Sequence, residues 1–226
     1  MTELFLSRAR LRCDAPVAAL AQLLVPQEAA DRAGALHRLV WALFADAADR
    51  TRDFLWREEA PGRFITLSSR PPVDLHDLFD LESQSFIPVL APGDRLGFTL
   101  RANAVVARPE VRGQRGKRHD VVMDLLYRAT APRAKERPDA ILKAGRAWLA
   151  RQGEAHGFAP LSNTAVDGYD RVVVPRAHGK PAVFGVLDIT GVLEVQDPGS
   201  FLAQLAQGFG RARAFGCGLM LIRRAR

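Results

Sequence analysis

The chain has little cysteine: two residues in 226, Cys13 and Cys217, far apart in sequence. They form no metal-ligand spacing and no disulfide framework, so free, buried thiols in a reducing cytoplasm are expected. No window approaches the ~20 apolar residues of a membrane span, and no membrane partner is expected. The first residues, Met1 to Arg8, lack a basic segment ahead of a long apolar core, so no secretory signal is expected. No Asp/Glu/His cluster has ligand spacing, so neither a metal nor another cofactor is expected. Nucleotide signatures are missing as well. There is no Gly-x-x-x-x-Gly-Lys-Ser/Thr, and Gly208-x-Gly210 has Arg213 where a dinucleotide fingerprint needs its third glycine. Internal sequence repeats are absent. What is left reads as an ordinary globule, 48% hydrophobic and 25% charged, long enough for one large domain or two small ones.

Positive charge is plentiful. The formal net charge is +7, carried mostly by arginine, which suits a polyanionic partner. Three glycine-bearing segments place arginines or lysines where they could meet a polyanion. The first is Gly208-Phe209-Gly210-Arg211-Ala212-Arg213-Ala214-Phe215-Gly216-Cys217-Gly218, ahead of the apolar run Leu219–Ile222. Glycines let a backbone approach a ligand and present its N–H groups; Arg211 and Arg213 among them favour phosphate. The second is Arg112-Gly113-Gln114-Arg115-Gly116-Lys117-Arg118-His119, where Lys117 and Arg118 are candidates to hold backbone phosphates. The third is the turn Arg176-Ala177-His178-Gly179-Lys180-Pro181. The acidic stretch Asp74 to Glu82 reads as solvated surface. Trp41, Trp56 and Trp148 sit in apolar periodic contexts and read as core.

Periodicity supplies the elements. Alternation predicts a strand over Leu4–Cys13, and an apolar stripe of Ala33, Leu36, Leu39, Val40, Leu43 and Phe44 predicts a helix within Pro26–Ala48. Strands over Arg52–Arg57 and Arg63–Ser69 flank the turn signal Pro61-Gly62. A short helix over Val73–Phe79 and a strand over Leu81–Val89 complete a β-α-β-β-α-β order, the ferredoxin-like unit. A second such unit is predicted from Gly93: one long strand Arg95–Ala107, helices Asp120–Arg128 and Pro138–His156, strands Asp170–Pro175 and Ala182–Leu193, a helix Pro198–Gln207 and a strand Leu219–Ile222. The expectation is an α+β protein of two tandem ferredoxin-like (RRM-like) domains, residues 1–90 and 91–226.

Two segments resemble a known family. The glycine-rich segment Gly208 to Leu219, between a helix and a strand, is similar to the signature of the repeat-associated RNA-processing proteins of CRISPR systems. The stretch Leu36-His37-Arg38-Leu39-Val40-Trp41-Ala42-Leu43-Phe44, followed by Arg52-Asp53-Phe54-Leu55-Trp56, resembles the first-helix motif of the CasE family, the hairpin-cleaving endoribonuclease of the type I-E Cascade complex. Taken alone, His37 is a helix-edge histidine of the structural kind; the resemblance implies that it is the catalytic one. A tyrosine one turn earlier assists in some members, and Gly34 stands at that place here. The resemblance further implies that the hairpin bearing Arg176, His178 and Lys180 enters the major groove of an RNA stem-loop, with Lys180 neutralising the scissile phosphate. Arg38, Lys117, Arg118, Arg176, His178, Arg211 and Arg213 are the expected RNA contacts.

The activity implied is a metal-independent endonuclease acting in antiviral defence. It cuts precursor CRISPR RNA at the base of the repeat hairpin and keeps the mature crRNA bound beside other Cascade subunits. The ribose 2′-OH is the nucleophile, leaving a 2′,3′-cyclic phosphate and a 5′-OH, with an imidazole moving protons near neutral pH. The rival expectation is a non-catalytic RNA-binding subunit of the same complex. A generic RNA-recognition module would need base-stacking aromatics on its strands, and the first strand offers only Phe5.

Overall fold

The structure, a computed structural model, describes residues 3–14, 17, 20, 24–47, 49–108, 116–128, 132–176 and 178–225. Strand β1 (Phe5–Leu11) is followed by helix α1 (Ala29–Trp41) and strands β2 (Phe54–Ala60), β3 (Arg63–Ser68) and β4 (Phe79–Ser85). These strands form an antiparallel sheet in the order β2-β3-β1-β4. That is the strand order of a ferredoxin-like sheet, with β1 and β3 at the centre. The apolar stripe of α1 lies on one face: Leu36, Leu39, Val40, Leu43 and Phe44 pack against Ala9, Leu11, Phe54, Trp56 and Phe64.

The predicted helix over Val73–Phe79 does not form. Asp74 accepts hydrogen bonds from the backbone N–H groups of His76 (3.2 Å) and Phe79 (2.6 Å), and Asp77 adopts φ 52°. A short polar side chain has given the backbone an alternative to the helical ladder. Val73 N–H donates to Leu43 O, which moors this loop to the end of α1.

The second sheet begins with β5 (Arg95–Ala102) and runs β11-β5-β10-β8, with β9 also paired to β10. Its members are β8 (Phe158–Pro160), β9 (Ala165–Val174), β10 (Ala182–Val195) and β11 (Met220–Arg224). Helices α2 (Val121–Tyr127), α3 (Arg133–His156) and α4 (Pro198–Gln207) complete the unit. Trp148 and Leu149 of α3 and Phe201 and Leu205 of α4 bury against Phe98, Leu100, Ile189 and Leu193. The single long strand predicted over Arg95–Ala107 is two strands. It breaks after Ala102, and β6 (Val105–Arg108) leaves the sheet to pair with β7 (Lys117–Asp120). Asn103 causes the break: its side chain donates to Gly185 O (2.7 Å), and its backbone bridges to Arg211. Helix α3 starts five residues before Pro138, the predicted start, and carries that proline in its second turn.

A small cluster of Leu55, Ile65 and Leu67 with Leu219 joins the two sheets on the face away from α1. Cys217 is buried as expected, but Cys13 is exposed.

Candidate active site

His37 lies in the penultimate turn of α1, at the edge of its apolar stripe. Its ring meets the Trp41 ring edge-on at 5.8 Å and the Phe215 ring at 5.9 Å. Phe215 in turn stacks on Phe184 of β10 at 5.7 Å. This aromatic column joins the first helix, the glycine-rich loop and the turn end of the β9–β10 hairpin. Nδ1 of His37 is buried with no hydrogen-bond partner. Burial holds the imidazole below the ordinary histidine value of 6.5, and the Arg52 and Arg38 charges push it the same way; only the Ala214 carbonyl nearby favours the charged form. The ring is therefore neutral at pH 7 and able to accept a proton.

The glycine-rich loop is shaped by contacts that need glycine. Gly210 has φ 74°, and a Cβ there would stand 2.7 Å from Asn103 O. Gly216 has φ 75° and packs on the Trp56 ring, whose Nε1–H donates to Ala214 O at 3.2 Å. The loop's N–H groups at Phe209, Arg211, Phe215 and Gly218 donate to protein carbonyls. The expectation that these amides face a phosphate is corrected at those positions: they hold the loop's shape, and the arginine side chains are what it offers. A short 3₁₀ turn, Arg213–Phe215, presents Arg213 and Phe215 toward α1.

Cations surround this ring. Arg38, Arg52, Arg211 and Arg213 have no acidic partner among the described residues. Arg52 and Arg213 lie close enough that each is partly desolvated and the Arg213 charge lowers the Arg52 pKa. The Arg38 guanidinium folds back over Gly34, with Nη1 3.5 Å from where a Cβ would be. It fills the space where the resemblance puts a tyrosine in some members. Arg52 was not singled out in the sequence, because it reads there as the first residue of a strand. Its one signal was its place in the motif two residues before Phe54.

The remaining candidates lie elsewhere. Arg176, His178 and Lys180 are exposed at the tip of the β9–β10 hairpin, and no hydrogen bond, ion pair or ring contact joins Lys180 to the His37 cluster. Lys117 and Arg118 stand exposed on the β6–β7 ribbon. Arg112, Gly113, Gln114 and Arg115 lie outside the described residues. Behind Phe215 a cleft of about 850 Å³ opens between α1 and β9, lined by Arg57, Arg101, Asp170 and Asp188 among others. Most of its charges are engaged: Arg101 pairs with Asp188 and with Asp170 (3.4 Å), Arg32 pairs with Glu58 (2.6 Å), and Arg57 donates to Thr99 Oγ1 (3.0 Å). Among the described residues no group of three or more His, Cys, Asp or Glu side chains is placed to hold a metal ion.

A model of the family described as CRISPR associated protein matches residues 4–224. The chain belongs to this family. It is 25% identical over 194 residues to the CRISPR system Cascade subunit CasE of Escherichia coli strain K12, covering 82% of this chain and 88% of the relative. The fold is also that of Thermus thermophilus Cse3 bound to an RNA representing a pre-cleavage complex: TM-score 0.70, 24% identity, 98% of this chain and 99% of the other. Cas6e from Escherichia coli K-12 superposes with TM-score 0.54 at 21% identity, over 98% of this chain and all of the other. Members of this family thus share the two-sheet α+β arrangement seen here.

Proposed function

We propose that this family member is an endoribonuclease that processes CRISPR RNA. In finer terms, it cuts the precursor at the 3′ base of the repeat hairpin without a metal and holds the product. The observation that carries the reading is His37: a half-buried, neutral imidazole with free guanidinium groups on two sides and no acid among them. Such a ring takes the proton of a ribose 2′-OH. The 2′-oxygen then bonds to the adjacent phosphorus, the bond to the 5′-oxygen breaks, and that oxygen leaves as a 5′-OH after protonation. The strand keeps a 2′,3′-cyclic phosphate. Charge that builds on the non-bridging oxygens is stabilised by cations already in place. Residues 1–90 supply the catalytic helix, and residues 91–226 the loop, the ribbon and the hairpin. Arg176 and His178 at the hairpin tip, with Lys117 and Arg118 on the ribbon, grip the stem; Lys180 is carried to the scissile phosphate as RNA docks. The similarity to a Cascade subunit supports a place in such a complex, in the cytoplasm.

A second reading, an RNA-binding subunit without cleavage, is favoured only by Gly34, which removes a side chain that assists in some relatives. Incubation of the protein with a cognate repeat hairpin in EDTA separates the two. Cleavage in EDTA is expected, with a substrate 2′-deoxy at the nucleotide 5′ of the cut bound but intact. His37→Ala is expected to lose ~10²–10⁴-fold in rate while still binding. Wild-type cleavage by a folded His37→Ala protein, or cleavage of the deoxy substrate, refutes the mechanism.

A further inference from the structure

Arg52 stands in a segment where acids are abundant yet pairs with none of them among the described residues. Asp53, next to it, is held by Arg70 (2.7 Å), and Asp46 by Arg50 (2.7 Å) and Arg70 (3.2 Å). Across the same helix Glu58 is taken by Arg32 (2.6 Å). Arg52 makes no hydrogen bond or ion pair among the described residues. It comes two residues before Phe54, which stacks on Phe44 (4.1 Å) and tilts against Trp41 (5.5 Å), the ring that meets His37. Arg52 lies just ahead of β2, close enough for its charge to act on the His37 ring. From the opposite side the 3₁₀ turn brings Arg213, whose Nε–H has only the Gly210 carbonyl (3.3 Å). The Arg213 charge acts on Arg52, and neither has an acidic partner among the described residues. Like charges near one another repel, and an anion between them removes that cost.

Building on the reading above, we infer that Arg52 is a further catalytic residue, which with Arg213 forms a two-guanidinium clamp on the scissile phosphate beside His37. Arg52 and Arg213 bear on one another in the free protein, whereas Lys180 makes no hydrogen bond, ion pair or ring contact with the cluster. Guanidinium forks match the equatorial oxygens of a phosphorane bidentately. Their attraction grows as charge accumulates in the transition state, so the clamp acts on rate more than on grip. Arg52 has a second effect. Its charge disfavours imidazolium at His37 and so keeps the base neutral. The other charge bearing on that ring is Arg38 on its own helix; the loop packed against it contributes the Ala214 carbonyl, and Arg213 acts on Arg52.

The test is single-turnover cleavage of a cognate repeat hairpin at saturating protein, beside binding of the same RNA made 2′-deoxy at the cut. Wild type is compared with Arg52→Ala, Arg52→Lys and His37→Ala. Arg52→Ala is expected to lose ~10²–10³-fold in rate, with affinity falling less than about tenfold, one phosphate contact's worth. Arg52→Lys recovers part of the rate. The acid limb of the rate profile moves to higher pH in Arg52→Ala, which loss of a merely structural side chain would not cause. Because Arg52 is exposed and makes no hydrogen bond, these variants fold. A wild-type rate for Arg52→Ala while His37→Ala is inactive overturns the clamp and leaves the endoribonuclease reading standing. A defect confined to affinity, or a lost rate with an unmoved acid limb, also overturns it. An active His37→Ala protein overturns the reading beneath it.

Discussion

At the scale of single residues, the proposed chemistry turns on the protonation state of His37. Burial and two neighbouring guanidiniums hold its pKa below 6.5 in the free protein. A general base works while deprotonated, so the rate falls as pH drops through that lowered value. The pH profile of kcat/KM, which reports the free enzyme, is therefore expected to keep its acid limb below pH 6.5. A limb at or above 6.5 would mean that the ring is not desolvated as described. The same shift has a consequence for stability. The unfolded chain takes up a proton near 6.5 before the folded one does, so His37's contribution is fully present above 6.5 and is lost as pH falls through the folded value. His37 was legible because it sits inside a helical motif. Arg52 was not, because its importance comes from the acids around it being engaged by Arg50 and Arg70, and pairing is a property of three dimensions.

At the scale of elements, three separate pieces offer cations: the glycine-rich loop, the β6–β7 ribbon and the β9–β10 hairpin. Only the first touches His37. The other two are expected mainly to grip RNA, with Lys180 of the hairpin the one residue proposed to reach the scissile phosphate. Replacing Arg118 or Arg176 by Ala should reduce the salt dependence of hairpin binding by about 0.7–0.9 in log–log slope, the share of one phosphate. The single-turnover rate at saturation should barely change. Filter binding across a salt series, run with cleavage assays, checks this; an unaltered slope removes the residue from the interface. Sequence pattern gave these elements unevenly. Helix α4 matched its predicted span because Pro198 opens it and Asp197 caps it through Gly199 and Ser200 N–H. The Val73–Phe79 helix failed because one aspartate competed for its backbone. The long strand failed at Asn103, whose partners Gly185 and Arg211 are remote in sequence. Periodicity sees burial but not which strand will call a residue away.

At the scale of the whole molecule, a +7 chain pairs some of its acids internally and leaves arginines without an acidic partner beside His37, on the β6–β7 ribbon and at the β9–β10 hairpin. Such a surface should be steadied by its polyanion. Binding only the folded state raises stability by RT ln(1 + [L]/Kd), about 2.7 kcal/mol at a hundredfold excess over Kd. A melt with uncleavable repeat hairpin should thus rise in Tm at low salt and lose the gain at high salt; an equal rise with any RNA of the same length would argue against hairpin recognition. The α+β class and most strands were readable from alternation and turns, since each sheet buries one face against helices; β8 and the break at Asn103 were not. Less readable was how the two units share a site. His37 comes from the first helix, while Arg213 and Phe215 come from a loop far downstream, seated by Trp56 and Asn103. This has a consequence for timing. During synthesis the first sheet and its helix emerge well before residues 208–218, so a growing chain exposes the imidazole without Phe215 behind it or Arg213 beside it. If the chain cuts RNA as proposed, it is unarmed while it is being made, and the site is complete only with closure of the final loop.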